Sequence, residues 1–228
     1  MRALLLPVKD LNNAKKRLTG VLSPEERFGL AQVMLKDTIR AVQGIKRAEK
    51  VFMVTNYKPA MCLAEENGWE ILREEQQISE SHSVDAASRV CESRGVTGLL
   101  RVPLDVPLVQ ASDIDDLLAL ECEEPALVIV PSRDGLGTNA ILRMPPALFP
   151  SHFGLGSFAK HVGEAERLGA RVIFHNNPRL EMDVDDEADL RVLLQHDLSA
   201  TETGRWLIES GVGARFRKKL RAEAMGAG

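Results

Sequence analysis

Short apolar runs and helical three-to-four-residue recurrences take turns along this chain, and the alternation predicts its elements. Ala3 to Val8 is a brief apolar run that ends in a basic stretch, which reads as a buried strand leading into a loop. Ser23-Pro24-Glu25-Glu26 then opens a helix: Ser23 caps, Pro24 suits the first helical position, and Glu26 completes a capping box. Leu30, Met34, Leu35, Ile39 and Val42 recur at helical spacing, and Gly44 marks the stop. Further strand-like runs lie at Val51–Thr55, Leu99–Pro103, Leu127–Pro131, Ile141–Met144 and Arg171–Phe174. Helix-like segments fall at 59–67, 81–94, 112–121, 157–168 and 186–195. Such alternation implies a three-layer α/β fold with a mostly parallel sheet. Ligands of such sheets bind beyond the carboxyl ends of strands, which directs attention to the loops after Val8, after Val102 and around Asp183.

Composition narrows the functions. A length of 228 residues and a hydrophobic content of 44% suit one domain with a substantial core. We assign residues 1–198 to that domain and residues 199–228 to a helical appendage bearing Arg215, Arg217, Lys218, Lys219 and Arg221. The appendage reads as a solvated helix face, with an oligomer contact or a lid over an anionic ligand as alternatives. A homodimer is left open. A formal charge of −4 and an aromatic content of 4% give no footing for nucleic acid. The cysteines Cys62, Cys91 and Cys122 have no metal-ligand spacing and are expected to be reduced. The N-terminal apolar run is too short for a signal segment or a membrane span, so the expected location is cytoplasmic, without membrane association.

Four segments could carry chemistry. Lys9, Lys15, Lys16 and Arg17 crowd the loop after the first strand, where they suit phosphates or carboxylates; a solvated basic loop is the alternative. Asp105 is bracketed by Pro103 and Pro107 at the end of an apolar strand, so its carboxylate is held stiffly, as a magnesium ligand or as a turn-stabilising acid. Asp183 and Asp185 flank Val184 and in an extended segment point the same way. Two such carboxylates repel unless a cation lies between them; a helix-capping run is the other reading. The loops GLGTNA (135–140) and GLGSFA (154–159) mimic a dinucleotide fingerprint, but neither joins a strand to a helix as that motif requires. Their amides and the side chains of Thr138, Asn139 and Ser157 are still sensible donors to an anion. No GxxxxGK[ST] or GxSxG motif is present, which removes P-loop and serine-hydrolase chemistry.

Taken in order, PVKDLNNAKKRL, LSPEERFGLAQVMLKDTI, PLDVPL, RDGLGTNA, FGLGSF and MDVDDEADL resemble the CofC/FbiD family, whose members are 2-phospho-L-lactate or phosphoenolpyruvate guanylyltransferases of coenzyme F-420 biosynthesis. The resemblance runs from about residue 3 to residue 195. It implies a nucleotide-diphospho-sugar transferase (GT-A-like) fold and magnesium-dependent transfer of GMP from GTP to a small phosphorylated carboxylic acid, with 3-phosphoglycerate as a third candidate acceptor. By resemblance, Lys9, Thr138, Gly156 and Ser157 hold the phospho-acid, Asp105, Asp183 and Asp185 bind magnesium, and Lys15 and Arg17 meet the triphosphate. Where many members carry Gly-Leu-Asn-Ala-Ala to read the base, this chain has Ser83-Val84-Asp85-Ala86-Ala87, so Ser83 and Asp85 are the candidates for guanine recognition. Rival readings are a transferase of the same fold with a molybdopterin or sugar-phosphate acceptor, or a non-catalytic nucleotide-binding domain. The first usually opens with a Gly-rich loop, and no glycine lies between Met1 and Arg17 here.

Overall fold

A computed structural model of the chain describes the backbone of residues 1–226 and the side chains through residue 219. Its strands are Arg2–Pro7 (β1), Lys50–Thr55 (β2), Glu70–Arg73 (β3), Gly98–Arg101 (β4), Ala126–Pro131 (β5), Thr138–Met144 (β6) and Arg171–Phe174 (β7). These described strands form one seven-stranded sheet in the order β3-β2-β1-β4-β6-β5-β7. Pairing is parallel except along β6, which runs antiparallel to both β4 and β5. The helices are Pro24–Gln43 (α1), Lys58–Glu66 (α2), Glu80–Ser93 (α3), Ala111–Ala119 (α4), Ser157–Arg167 (α5), Glu187–Leu193 (α6), Glu202–Glu209 (α7) and Val212–Gly226 (α8).

β1 shows why the fold has three layers. Leu4 and Leu6 pack with Leu35 and Ile39 of α1 and with Ile114 and Leu117 of α4. Ala3 and Leu5, pointing the other way, pack with Val84, Ala87 and Cys91 of α3. Farther along the sheet, α5 covers Leu127, Ile129 and Ile141 through Ala165. Each fully buried leucine contributes roughly 1.5–3 kcal/mol, so covering both faces is the main stabilising term. The expected start of α1 is present as a capping box, with Ser23 accepting from the Glu26 N–H and Glu26 accepting from the Ser23 N–H.

β3 is absent from the sequence reading. It is an edge strand of four residues whose apolar content is Ile71 and Leu72, too little for either period to register. The segment after residue 198 packs on the rest of the chain: Leu207, Val212 and Phe216 share a cluster with Leu18, Leu30, Met182, Val184 and Leu190. Asp37 of α1 accepts the N–H groups of Glu202 (2.7 Å) and Thr203 (2.9 Å), which caps α7 from a neighbouring helix. The helices cross so closely that a Cβ on Gly29 would lie 2.8 Å from Trp206 Nε1. No helix among the described residues is long and apolar enough to cross a membrane.

Candidate active site

The strands put their chemistry at one edge of the sheet. β1 and β4 end there, followed by the Lys9–Arg17 loop and the Asp105 loop. β6 contributes its first residues to the same edge because it runs the other way. That reversal brings Thr138 and Asn139 opposite Asp105, and a sequence cannot announce it.

Asp105 is anchored by its neighbours. Val102 and Val106 are fully buried on either side of it, and Val102 donates to the Leu5 carbonyl (3.3 Å). In the second acidic segment Met182 and Val184 are buried in the cluster beneath α6, while Asp183 and Asp185, one residue out of step, line the cleft. The two segments are joined by a backbone bond from Val184 N–H to the Asp105 carbonyl (3.1 Å). Asp186 caps α6, as the capping reading of that residue expects.

Lys15 lies between the carboxylates. Its Nζ donates to Asp105 Oδ2 at 2.7 Å and to Asp185 Oδ1 at 3.1 Å, and Arg17 Nη1 stands 3.8 Å from Asp185 Oδ2. Lys15 holds a left-handed backbone (φ 53°), a conformation that costs a non-glycine residue about 1–3 kcal/mol and is offset here by the paired charges. Burial alone would lower the Lys15 pKa; the Asp105 and Asp185 carboxylates reverse that and hold it above the usual lysine range. Burial likewise raises Asp105, but Lys15, backed by Arg101, brings it below the usual carboxylate range. Asp183 has no such cation among the described residues. Burial, then the charge of Asp105, pushes it up to about 6, although Asn139 Nδ2 donates to it at 3.1 Å. Among the described residues no three His, Cys, Asp or Glu side chains form a ready metal cage. The aspartates converge, with an ammonium between two of them.

Two clefts open on either side of Asp105. The first, about 380 Å³, is lined by Arg17, Thr138, Asn139, Gly156, Ser157, Asp183 and Asp185, with Arg133 and Phe153. Gly154 (φ 114°) and Gly156 (φ 68°) take backbone shapes suited to glycine and bring to this cleft the N-terminus of α5, which has no side-chain cap and whose Ser157 and Phe158 N–H groups donate to the Gly154 (3.1 Å) and Leu136 (3.2 Å) carbonyls. The second, about 250 Å³, is lined by Lys9, Lys15, Leu11, Ala31, Met34 and Leu104. Glu80, Arg101, Pro103 and Asp105 belong to both walls.

Thus the expected groups are only partly assembled as the resemblance implied. Thr138, Asn139, Gly156 and Ser157 share a cleft with Arg17 and the aspartates, whereas Lys9 faces the other cleft, exposed and without an ion pair among the described residues. Ser83 and Asp85 reach neither. Ser83 is buried and donates to the Ser79 carbonyl (3.0 Å) and to Glu74. Asp85 accepts the Ser151 N–H (3.0 Å) and lies 3.5 Å from the buried Arg143, so its carboxylate balances an interior guanidinium and is not presented to a base.

Two further residues, Arg101 and His161, are absent from the sequence reading. Arg101, in the wall between the clefts, pairs with Glu80, donates to the Asn139 carbonyl (2.8 Å) and stacks 4.4 Å from the Phe153 ring centroid. Its signal was a charge at the end of an otherwise apolar strand. His161 sits behind Thr138 (Nδ1 to Oγ1, 3.0 Å), and nothing in its sequence neighbourhood marks it.

Comparison with known proteins follows the same lines. Residues 1–224 match the family described as guanylyl transferase, CofC like. The phosphoenolpyruvate guanylyltransferase of Rubrobacter xylanophilus is 35% identical over 82% of this chain and 90% of its own. The 2-phospho-L-lactate guanylyltransferase of Methanothermobacter thermautotrophicus is 30% identical over 84% of this chain and 83% of its own. Among solved structures, a Desulfovibrio desulfuricans G20 protein described as a nucleotide-diphospho-sugar transferase superposes with a TM-score of 0.74 at 17% identity, covering 94% of this chain and 96% of that one. That last likeness concerns the fold, and the fold is the one the resemblance implied.

Proposed function

This chain belongs to the family of CofC-like guanylyl transferases, and from that premise we propose that it transfers GMP from GTP to the phosphate of a small phospho-acid, releasing pyrophosphate. The observation that carries the reading is the pair of clefts that meet at Asp105. A reaction between two anions needs two binding places with a shared, charge-balanced border. The second cleft has an apolar floor of Leu11, Ala31, Met34 and Leu104 beside Lys9 and Lys15, a composition suited to a purine and its phosphate tail. The first, although the larger of the two, is polar, with Thr138, Ser157 and the start of α5 beside Arg17 and Arg133, groups suited to an anion. The relatives are named for phosphoenolpyruvate and 2-phospho-L-lactate; these acids and 3-phosphoglycerate all join a phosphate to a nearby carboxylate, which is the acceptor class we assign. In this reading Lys9 serves the nucleotide.

The chemistry is an in-line displacement. An oxygen of the acceptor phosphate forms a bond to the α-phosphorus of GTP. The bond from that phosphorus to the α,β-bridging oxygen breaks, and its electron pair leaves with pyrophosphate. The acceptor phosphate is already ionised near neutral pH, so no general base is required. Lys15 and Arg17 balance the departing charge, and the stiff Asp105 loop aligns the reactants. Asp105, Asp183 and Asp185 would hold a magnesium ion, which when bound supplies neutralisation between the two anions. What supports this is the donor set, oxygen throughout, and a space that already accommodates one cation, the Lys15 ammonium.

The test is a matrix of GTP and ATP against the three acids with magnesium, read by mass spectrometry. A GMP-containing diphosphate product with pyrophosphate is the expected result. A non-catalytic nucleotide-binding domain would yield no product with any pair.

A further inference from the structure

Behind the small-anion cleft lies a buried histidine that the reaction above does not use. We propose that His161 is a positioning residue: as the Nδ1–H tautomer it turns the Thr138–Ser157 hydroxyl pair into a net hydrogen-bond donor aimed at an anionic oxygen of the acceptor acid. The inference deepens the proposed function and rests on it for the identity of that acid.

The tautomer follows from the bonds. His161 Nε2 accepts the backbone N–H of His152 at 2.8 Å, and an amide N–H can only donate. Nε2 therefore carries no proton, and in the neutral ring the proton is on Nδ1, 3.0 Å from Thr138 Oγ1. The ring stays neutral: burial, with Arg143 and His152 nearby, lowers its pKa to about 3. His161 is fully buried and is one helical turn beyond Ser157, whose Oγ lies 3.2 Å from Thr138 Oγ1.

Proton counting does the rest. Two hydroxyls have two protons, and the bond between them uses one. Because the histidine donates to Thr138 and does not accept from it, the second proton has no partner inside the pair, whichever way the shared bond runs. Both residues line the cleft, so that proton is available to an oxygen bound there. With the opposite tautomer Thr138 would donate to the ring, Ser157 to Thr138, and nothing would be left for a ligand. Packing alone does not call for a histidine: the ring sits among Phe149, His152 and Phe153 at 5.9, 6.0 and 5.1 Å between centroids, a pocket that a phenylalanine would fill.

The experiment has an activity-independent arm and a kinetic arm. Long-range proton–nitrogen NMR of the full chain should show Nδ1 of His161 protonated and Nε2 bare; a protonated Nε2 overturns the proposal whether or not the chain is a guanylyltransferase. In the kinetic arm, H161F should raise the KM of the acceptor by about tenfold to a hundredfold, the loss expected for one hydrogen bond to a charged group, with the KM of GTP unchanged. H161N, whose amide can donate from the Nδ1 position, should recover most of that loss. T138V should match H161F, and the double variant should be no worse than either alone. Equal effects on both substrates, or an H161N as impaired as H161F, would reduce His161 to a packing residue. Absence of transfer by the unaltered chain would fail the proposed function instead, leaving the tautomer assignment to stand or fall on the NMR.

Discussion

Val184 donates its backbone N–H to the carbonyl of Asp105 at 3.1 Å, and this bond draws two acidic segments far apart in the chain into one place. The carboxylates on either side of it inherit their proximity from the backbone, so the charge cluster is a property of the fold. Lys15 then supplies the balancing charge at 2.7 Å from Asp105 and 3.1 Å from Asp185.

Asp105→Asn keeps the size and much of the hydrogen bonding of this residue while removing its charge. Turnover should fall by roughly a hundredfold or more, as when a preorganised electrostatic contact is lost, with circular dichroism unchanged. Magnesium should raise the Tm of the unaltered chain and lose that effect in the variant, because only an ion bound to the folded state stabilises it. Near-normal turnover in D105N would remove this carboxylate from the mechanism.

Lys9→Ala tests how the clefts are divided. The exposed Lys9 ammonium faces the cleft with the apolar floor, so its loss should raise the KM of GTP by about tenfold, the worth of one modest phosphate contact. An increase confined to the acceptor KM would return Lys9 to the acid, as the family resemblance had it.

Asp85→Asn tests a structural role. The variant leaves the buried Arg143 guanidinium without its carboxylate partner, so stability to urea should fall by about 1–3 kcal/mol. The preference for GTP over ATP should not move. A switch in base preference would restore Asp85 to the nucleotide site.

His161 predicts a pH dependence of stability. Its folded pKa of about 3 lies below the value near 6.5 of an unfolded histidine, so only the unfolded chain takes up this proton as pH falls between them. The direction is therefore a loss of stability on acidification, about 1.4 kcal/mol per pH unit below 6.5, or about 2 kcal/mol between pH 7 and pH 5. Arg143, His152, Arg101 and Lys160 face the ring and oppose its protonation. Urea melts at the two pH values should show that difference, and H161N should lose it; an unchanged slope in H161N would assign the acid sensitivity to other groups.

The legible part of this protein is local. The β1 run, the Ser23–Glu26 capping box and the 182–185 alternation each write their geometry within a few residues, so strand, helix and the outward face of Asp183 and Asp185 could be read before folding was considered. Asp105 was legible because two prolines advertise a stiff turn. β3 escaped because an edge strand buries little. The antiparallel course of β6 was hidden because direction depends on which strands it joins. Arg101 with Glu80, and His161 with Thr138, are pairs made by packing between distant segments, and neither partner carries a mark of the other. The Ser83–Asp85 expectation rested on alignment with a motif, which carries no sign that the fold gives Asp85 the buried Arg143 to balance.

The most direct measurement follows oxygen. With an acceptor acid whose phosphate is labelled with oxygen-18, mass spectrometry after turnover with unlabelled GTP should find all of the label in the GMP-containing product and none in pyrophosphate, because the acceptor oxygen attacks and the α,β-bridging oxygen leaves. Label in the pyrophosphate, or acceptor consumed without a GMP adduct, would contradict transfer between the two clefts at Asp105.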